Sequence, residues 1–280
     1  MRSLPPLAIP LLCFAAFTAD LHQAESLYKY RKFQQSLALL DPASSDPATR
    51  FLLARIAAAT GDLKKATDML TRLTEEFPNK SEYFDWLGRV YGMRAERSSF
   101  VTAPTYAAKA RNNFEEAVRL DPNNKDALSD LFDYYLNAPG ILGGSIEKAA
   151  GIADRDVIIN PPEGYLQKAK LAEKAKDIKA AESFYRQAVK VAPRPTGYQI
   201  ALAQFLARQQ RDSEADQVFA DALRQKPDAP GILFARARVL VKSKRNPDEA
   251  RQLLNRYLQS PITVDDPSPE EARSLLEQIQ

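Results

Sequence analysis

Cations at a fixed step are the side chains best placed to do chemistry in this sequence. Lys174, Arg208 and Lys242 recur every 34 residues, and Lys170, Gln204 and Arg238 repeat that step one helical turn earlier. Arg55 and Arg89, also 34 apart, hold the second register nearer the N-terminus. Lys and Arg give charge-assisted hydrogen bonds to oxyanions, so such rows on one face suit the carboxylates of an extended acidic peptide or of a chain terminus. Asp133 breaks the second row, and Glu163 and Glu173 neutralise part of its charge.

Covalent and metal chemistry find little material. The chain has one histidine, His22, and one cysteine, Cys13, both near the N-terminus, so neither a Ser-His-Asp nor a Cys-His arrangement can be assembled in the body. A His-rich or Cys-rich metal site is excluded for the same reason, and no cofactor motif is present. The run Gly140-Ile141-Leu142-Gly143-Gly144 precedes a helical stretch but lacks the Gly-Lys-Ser/Thr ending of a phosphate loop, so it reads as a structural loop. Asp121-Pro122-Asn123-Asn124-Lys125-Asp126 offers oxygen ligands without the glycine and distal glutamate of a calcium loop, and reads as a turn. Glu75-Glu76 and Glu115-Glu116 sit on solvated helix faces. The expectation is a protein with no catalytic residues, no metal and no cofactor.

The elements that position the cation rows show in the punctuation. The 280 residues include only 10 Gly against 19 Pro, with 45% hydrophobic and 27% charged residues, which fits helices broken at regular intervals around a continuous core. Prolines follow helix-periodic stretches at Pro78, Pro122, Pro161, Pro193, Pro227 and Pro261, at intervals of 44, 39, 32, 34 and 34. Small residues keep the same register where two helices of a pair must cross closely. Ala54 and Ala66, Ala169 and Ala181, and Ala203 and Ala215 are each 12 apart, while Ala237 and Ala250 are 13 apart. Four residues after the second member stand Leu70, Tyr185, Phe219 and Leu254, bulky enough to fill the groove between the pair. The net charge of +3 is dispersed, with no basic block to hold nucleic acid.

One repeat carries a recognisable string. Phe84, Leu87, Gly88 and Tyr91, followed by Ala110, Phe114, Ala117 and Pro122, resemble the pattern W-x-x-L-G-x-x-Y, A-x-x-x-F-x-x-A, P of the tetratricopeptide-repeat (TPR) family, with Phe84 in the tryptophan position. The resemblance implies an all-α, right-handed α-α superhelix of about seven helical hairpins. These begin with a degenerate pair over 21–41 and continue with pairs starting near 47, 81, 125, 162, 196 and 230. A C-terminal helix from Pro269 to Ile279 would cover the last open face with Glu270, Glu271, Arg273 and Glu277 outward. Two repeats are lengthened, by ten residues near 98–104 and by five near 138–144, the second followed by Ser145 as a helix cap. In a TPR array the first helix of each hairpin lines the inner groove. The resemblance therefore turns the cation rows into a groove for a protein or peptide, similar to the carboxylate-holding TPR domains of co-chaperones, although the Lys-Asn-Asn-Lys-Arg set of those domains is not matched here.

The N-terminus differs from the rest. Met1-Arg2, an almost uncharged run from Leu4 to Phe17 and Thr18-Ala19 have the form of a signal peptide cut after Ala19, or after Ala15 or Ala16, which implies a periplasmic or secreted protein. The run is too short and too rich in proline to span a membrane. Lipidation at Cys13 is disfavoured by Leu12 before it, and if the run is instead a first repeat helix the protein is cytoplasmic. The domain reading is thus 1–19 signal peptide, 20–266 solenoid and 267–280 capping helix. Function divides between a non-enzymatic scaffold that holds a partner polypeptide and a periplasmic small-ligand or transporter-associated binding component. The second rests on the P-x-x-x-G-G loop, which resembles a variant seen in some bacterial TPR proteins, and on a pocket expected from Phe100, Tyr106, Tyr134, Tyr135 and Ile141.

Overall fold

Prolines both start helices of this protein and follow their ends. The computed structural model describes the backbone of residues 11–279 and the side chains of residues 20–279, so the signal-peptide segment expected at 1–19, with Cys13, lies outside the described side chains. Pro47, Pro161, Pro230, Pro247 and Pro269 are each the first residue of a helix, where the missing N–H would have had no partner and the fixed φ is already helical. Pro161 therefore opens a helix instead of ending one as the sequence suggests, because Asn160 alone separates it from the preceding helix. Asp46 and Ser268 cap two of these starts, and Asp62, Asn124, Ser145 and Asp177 cap others, each with a side-chain oxygen that accepts a backbone N–H.

Among the described residues the chain is helical, without strands, and packs as two compact units that meet in sequence between Pro78 and Asn79. The first unit contains α1 (Leu11–Lys29) against α2 (Phe33–Ala38) and α3 (Pro47–Ala59) against α4 (Leu63–Glu76). Its interior gathers Ala24, Leu52, Ile56, Leu70 and Leu73, and Ser36 donates from Oγ to the Ala24 carbonyl at 2.7 Å.

The second unit stacks five hairpins in sequence order. They are α5 (Ser81–Glu96) with α6 (Ala103–Leu120), α7 (Lys125–Asn137) with α8 (Ile146–Ile159), α9 (Pro161–Lys174) with α10 (Ile178–Val191), α11 (Thr196–Arg208) with α12 (Asp212–Gln225), and α13 (Pro230–Ser243) with α14 (Pro247–Gln259). Helix α15 (Pro269–Glu277) closes the end through a reciprocal Ser268–Glu271 capping box and buries Ala272 and Leu275 against Leu253, Leu254 and Tyr257. Every second helix packs on the first helix of the next hairpin, which is the order of an α-α superhelix. The paired alanines at the crossings, among them Ala169, Ala181, Ala203, Ala215, Ala237 and Ala250, are fully buried. Gly88 serves the same purpose in the first of these hairpins, where a Cβ would stand 2.6 Å from the Phe114 ring.

The two lengthened repeats resolve differently. Instead of a loop over 98–104, the added residues mostly extend the helices, with α5 and α6 running 16 and 18 residues and only 97–102 left between them. Ala103 and Pro104 belong to α6, since proline in a first turn favours helix. In the second, a 3-10 turn (Gly140–Leu142) is held by Tyr134 Oη and by the Arg111 Nη1, both donating to the Leu142 carbonyl, and Gly143 turns the chain at φ +90.

Candidate functional site

The first helices of the hairpins in the second unit are joined in series by ion pairs. Arg89 on α5 pairs with Asp130 on α7, donating from Nε at 2.5 Å. Asp133, one turn farther along α7, takes Lys170 of α9 at 2.9 Å. Glu173 on α9 then takes Arg208 of α11 at 2.8 Å, and Tyr185 Oη also donates to that carboxylate at 2.5 Å. Three seams are thus closed by acid–base pairs, with the base on the earlier helix in the first and the acid on the earlier helix in the other two.

The last seam lacks the acid. Among the described residues no ion pair joins α11 to α13; instead Gln204, Ala207 and Arg208 face Arg238, Val239, Lys242 and Ser243 across a cavity of about 280 Å³. Lys242 is exposed, and the Arg238 guanidinium lies 5.7 Å from the Phe234 ring centre. Ala207 and Val239, both half-buried, add apolar lining beside these cations.

Four of the residues singled out by the 34-residue step, Gln204, Arg208, Arg238 and Lys242, therefore share one cavity. Lys174 is exposed at the end of α9, while Lys170, Arg89 and Arg208 are each paired with a carboxylate, which leaves Arg238 and Lys242 as the cations of the cavity outside those seam pairs. Arg55 belongs to the first unit, with its guanidinium 4.5 Å from the Tyr28 ring centre and 5.5 Å from that of Phe51. Sequence reasoning missed Ala207, Val239 and Ser243, although the same step that aligns Gln204 with Arg238 sets them between the two helices.

It also missed a buried carboxylate. Asp85 is 2% exposed, pairs with Arg89 at 3.0 Å, and has one oxygen, Oδ1, without a hydrogen-bond partner. Burial pushes its carboxyl up to about 8 against the pull of Arg89, with the neighbouring Asp130 and Asp126 adding to the rise. Burial raises Asp130 and Glu163 too, the latter opposed by Lys170. No repeat spacing marks Asp85 and Asp130, which stand 45 residues apart.

The aromatic pocket expected from Phe100, Tyr106, Tyr134, Tyr135 and Ile141 is not what these residues build. Phe100 and Ile141 are 90% and 94% exposed, Tyr106 stacks on Tyr91, and Tyr135 donates to Glu115 at 2.7 Å. The run Asp121–Asp126 is a turn in which Asp121 Oδ1 accepts from Asn123 N and Asn124 Oδ1 from Ala127 N.

The sequence itself matches the family model described as Tetratricopeptide repeat over residues 166–230 and again over 213–267, the stretch that carries the last three hairpins and the open seam. Residues 166–267 belong to the tetratricopeptide-repeat family. No curated protein matches this TPR sequence. Solved TPR structures share its fold at low identity. A thermophilic TPR protein of Thermus thermophilus, TTC0263, is 19% identical over 68% of this chain and 98% of its own, with a TM-score of 0.57. A TPR protein of Parabacteroides merdae is 12% identical over 95% of this chain and 99% of its own, with a TM-score of 0.60. TPR proteins bind proteins or peptides, and among the described residues no helix is long and apolar enough to cross a membrane.

Proposed function

We propose that this TPR protein is a non-enzymatic scaffold that holds an acidic segment of a partner polypeptide on the inner helices of its second unit, with the α11–α13 seam as the principal contact. The observation that carries this reading is the succession of three acid–base seams followed by one lined with Arg208, Arg238 and Lys242 and lacking its acid. A carboxylate from the partner, on a side chain or at a terminus, completes the fourth seam as Asp130, Asp133 and Glu173 complete the others. Charge-assisted hydrogen bonds in such a setting contribute about 1.5–3 kcal/mol each, so a single carboxylate gives modest affinity and several along an extended segment give more. Lys174, exposed beyond Glu173, extends the cationic surface along the same helices.

The same reading places the protein outside the cytoplasm, supported by the form of the run from Leu4 to Phe17 and the small residues after it. Nucleic acid is not its partner, since the cations are dispersed among acids and form no continuous stripe.

Calorimetric titration with an acidic peptide bearing a free carboxylate terminus, beside its amidated Asn/Gln counterpart, tests the site. The acidic peptide should bind and its neutral counterpart should not. K242E, which leaves the Arg208–Glu173 pair intact, should weaken binding about tenfold or more, and R208E/K242E should abolish it with helical content unchanged. Equal affinity for the native protein and both variants would reject the seam as the site.

A further inference from the structure

The two lengthened turns carry apolar side chains that no hairpin core uses. Phe100 and Val101 in the 97–102 turn are 90% and 68% exposed, and Ile141 in the 138–145 turn is 94% exposed. Both turns join the first helix of a hairpin to its second, in consecutive hairpins, so they project from the same edge of the second unit. Arg111 of α6 ties the second of these turns to the preceding hairpin, since it donates to the Leu142 carbonyl and a Cβ on Gly143 would strike its guanidinium.

The turn residues along the rest of that edge are mostly basic, beside acids in the first turns of α12 and α14, Asp212, Glu214, Asp248 and Glu249. The remaining turns, 175–177, 209–211 and 244–246, bring Lys176, Arg211, Lys244 and Arg245 against Asp177 alone, and Arg97 stands in the first lengthened turn. Arg211 and Arg245 are held by neighbouring carboxylates, whereas Arg97, Lys176 and Lys244 are exposed and have no ion-pair partner among the described residues. The opposite edge has the reverse balance, with Asp121, Asp228, Asp265 and Asp266 in its turns against Arg194 and Lys226. The turns of the unit are therefore polarised across its short dimension, with Phe100, Val101 and Ile141 on the cationic side and Ile158, 82% exposed at the end of α8, as the single strongly exposed large apolar side chain among the described residues of the other edge.

We infer that this edge docks on an anionic lipid surface, with Phe100, Val101 and Ile141 entering the boundary between headgroups and acyl chains while Arg97, Lys176 and Lys244 meet lipid phosphates. Isolated apolar tips on convex turns with cations beside them suit a fluid anionic interface, which receives each wedge separately. A folded protein partner would call for a contiguous apolar patch or groove, and these tips line none. The inference concerns the turns of this edge, which begin where the α11–α13 cavity ends, with Lys244 next to Ser243, and its vesicle test is separate from the peptide titration of that seam.

Flotation of the full chain with vesicles of phosphatidylcholine, with and without about 30% phosphatidylglycerol, provides the test. The chain should float with the anionic vesicles, less so as salt is raised, and F100S/V101S/I141S should weaken that association about tenfold or more. The run from Leu4 to Phe17 is common to both proteins, so a local probe accompanies the comparison. In W86F/F100W the introduced indole should shift its emission to the blue when anionic vesicles are added. Absence of binding to anionic vesicles, or an indole that stays in water while the chain is bound, overturns the inference, including in favour of a protein partner for these tips.

Discussion

Asp85 shows how one residue sets a property of its whole neighbourhood. Its carboxyl is buried beside Asp130 and faces only one cation, Arg89, with Asp126 adding further negative charge, so the folded protein holds it in the protonated form to about pH 8 whereas an unfolded chain releases the proton near the ordinary aspartate value. A folded pKa above the unfolded one contributes stability that is complete in acid and is lost as pH rises through the folded value. The thermal midpoint should accordingly fall between about pH 5 and pH 9. D85N keeps a neutral polar group at the position and donates to Asp130, so it should flatten that dependence and raise stability above pH 8 by about 1 kcal/mol. Thermal melts of the two proteins across this range decide it, and parallel curves would remove Asp85 from the account. The seam pairs at Lys170 and Arg208 are half-exposed, and each contributes at most about 1 kcal/mol to folding, which leaves their positions free to serve binding.

Helix α5 carries two glycines one turn apart, Gly88 within the TPR pattern and Gly92 just beyond it, and the fold treats them differently. At Gly88 an added Cβ meets Phe114 at 2.6 Å and the Ala110 carbonyl at 3.2 Å, whereas at Gly92 nothing lies within 4 Å. G88A should therefore destabilise by about 1–3 kcal/mol through overpacking, and G92A should stabilise by about 0.5–1 kcal/mol through the lower chain entropy of alanine in a helix. Urea unfolding of both variants checks the pair, and the same sign for the two would show that crossing distance does not govern α5. Most of the hairpin order was legible in the sequence, because a close crossing demands alanine or glycine at a fixed offset and a repeat boundary admits proline. The expected starts near 47, 81, 125, 162, 196 and 230 lie within one residue of the starts of α3, α5, α7, α9, α11 and α13. The lengthened hairpin was less legible, since added residues either loop out or extend the helices, and helix formers such as Ala103, Ala107 and Ala108 favour extension. The shared cavity at Gln204, Arg208, Arg238 and Lys242 was readable from periodicity alone, but the neutralisation of Arg89 and Lys170 depended on which carboxylate of the next helix came within reach.

At the scale of the whole molecule, a stack of hairpins has no central core, so each layer owes its stability to its two neighbours and the end layer to its cap. In the second unit that cap is α15, whose Ala272 and Leu275 cover Leu253, Leu254 and Tyr257, with Ile262 bridging the approach. L275D puts a charge into this contact and should cost about 3 kcal/mol or more where it acts. The loss should be felt unevenly. Amide protons of α13 and α14 should exchange much faster in L275D, those of α11 and α12 somewhat faster, and those of α5 and α6, four layers away, at nearly the native rate. Hydrogen exchange followed by mass spectrometry reads the gradient directly. A uniform increase from α5 to α14 would mean that the second unit opens as one cooperative block, in which case the α11–α13 seam cannot loosen to admit a partner without unfolding the rest. A graded response would mean that the end of the stack carrying the open seam adjusts locally, the behaviour that a scaffold receiving an extended acidic segment requires.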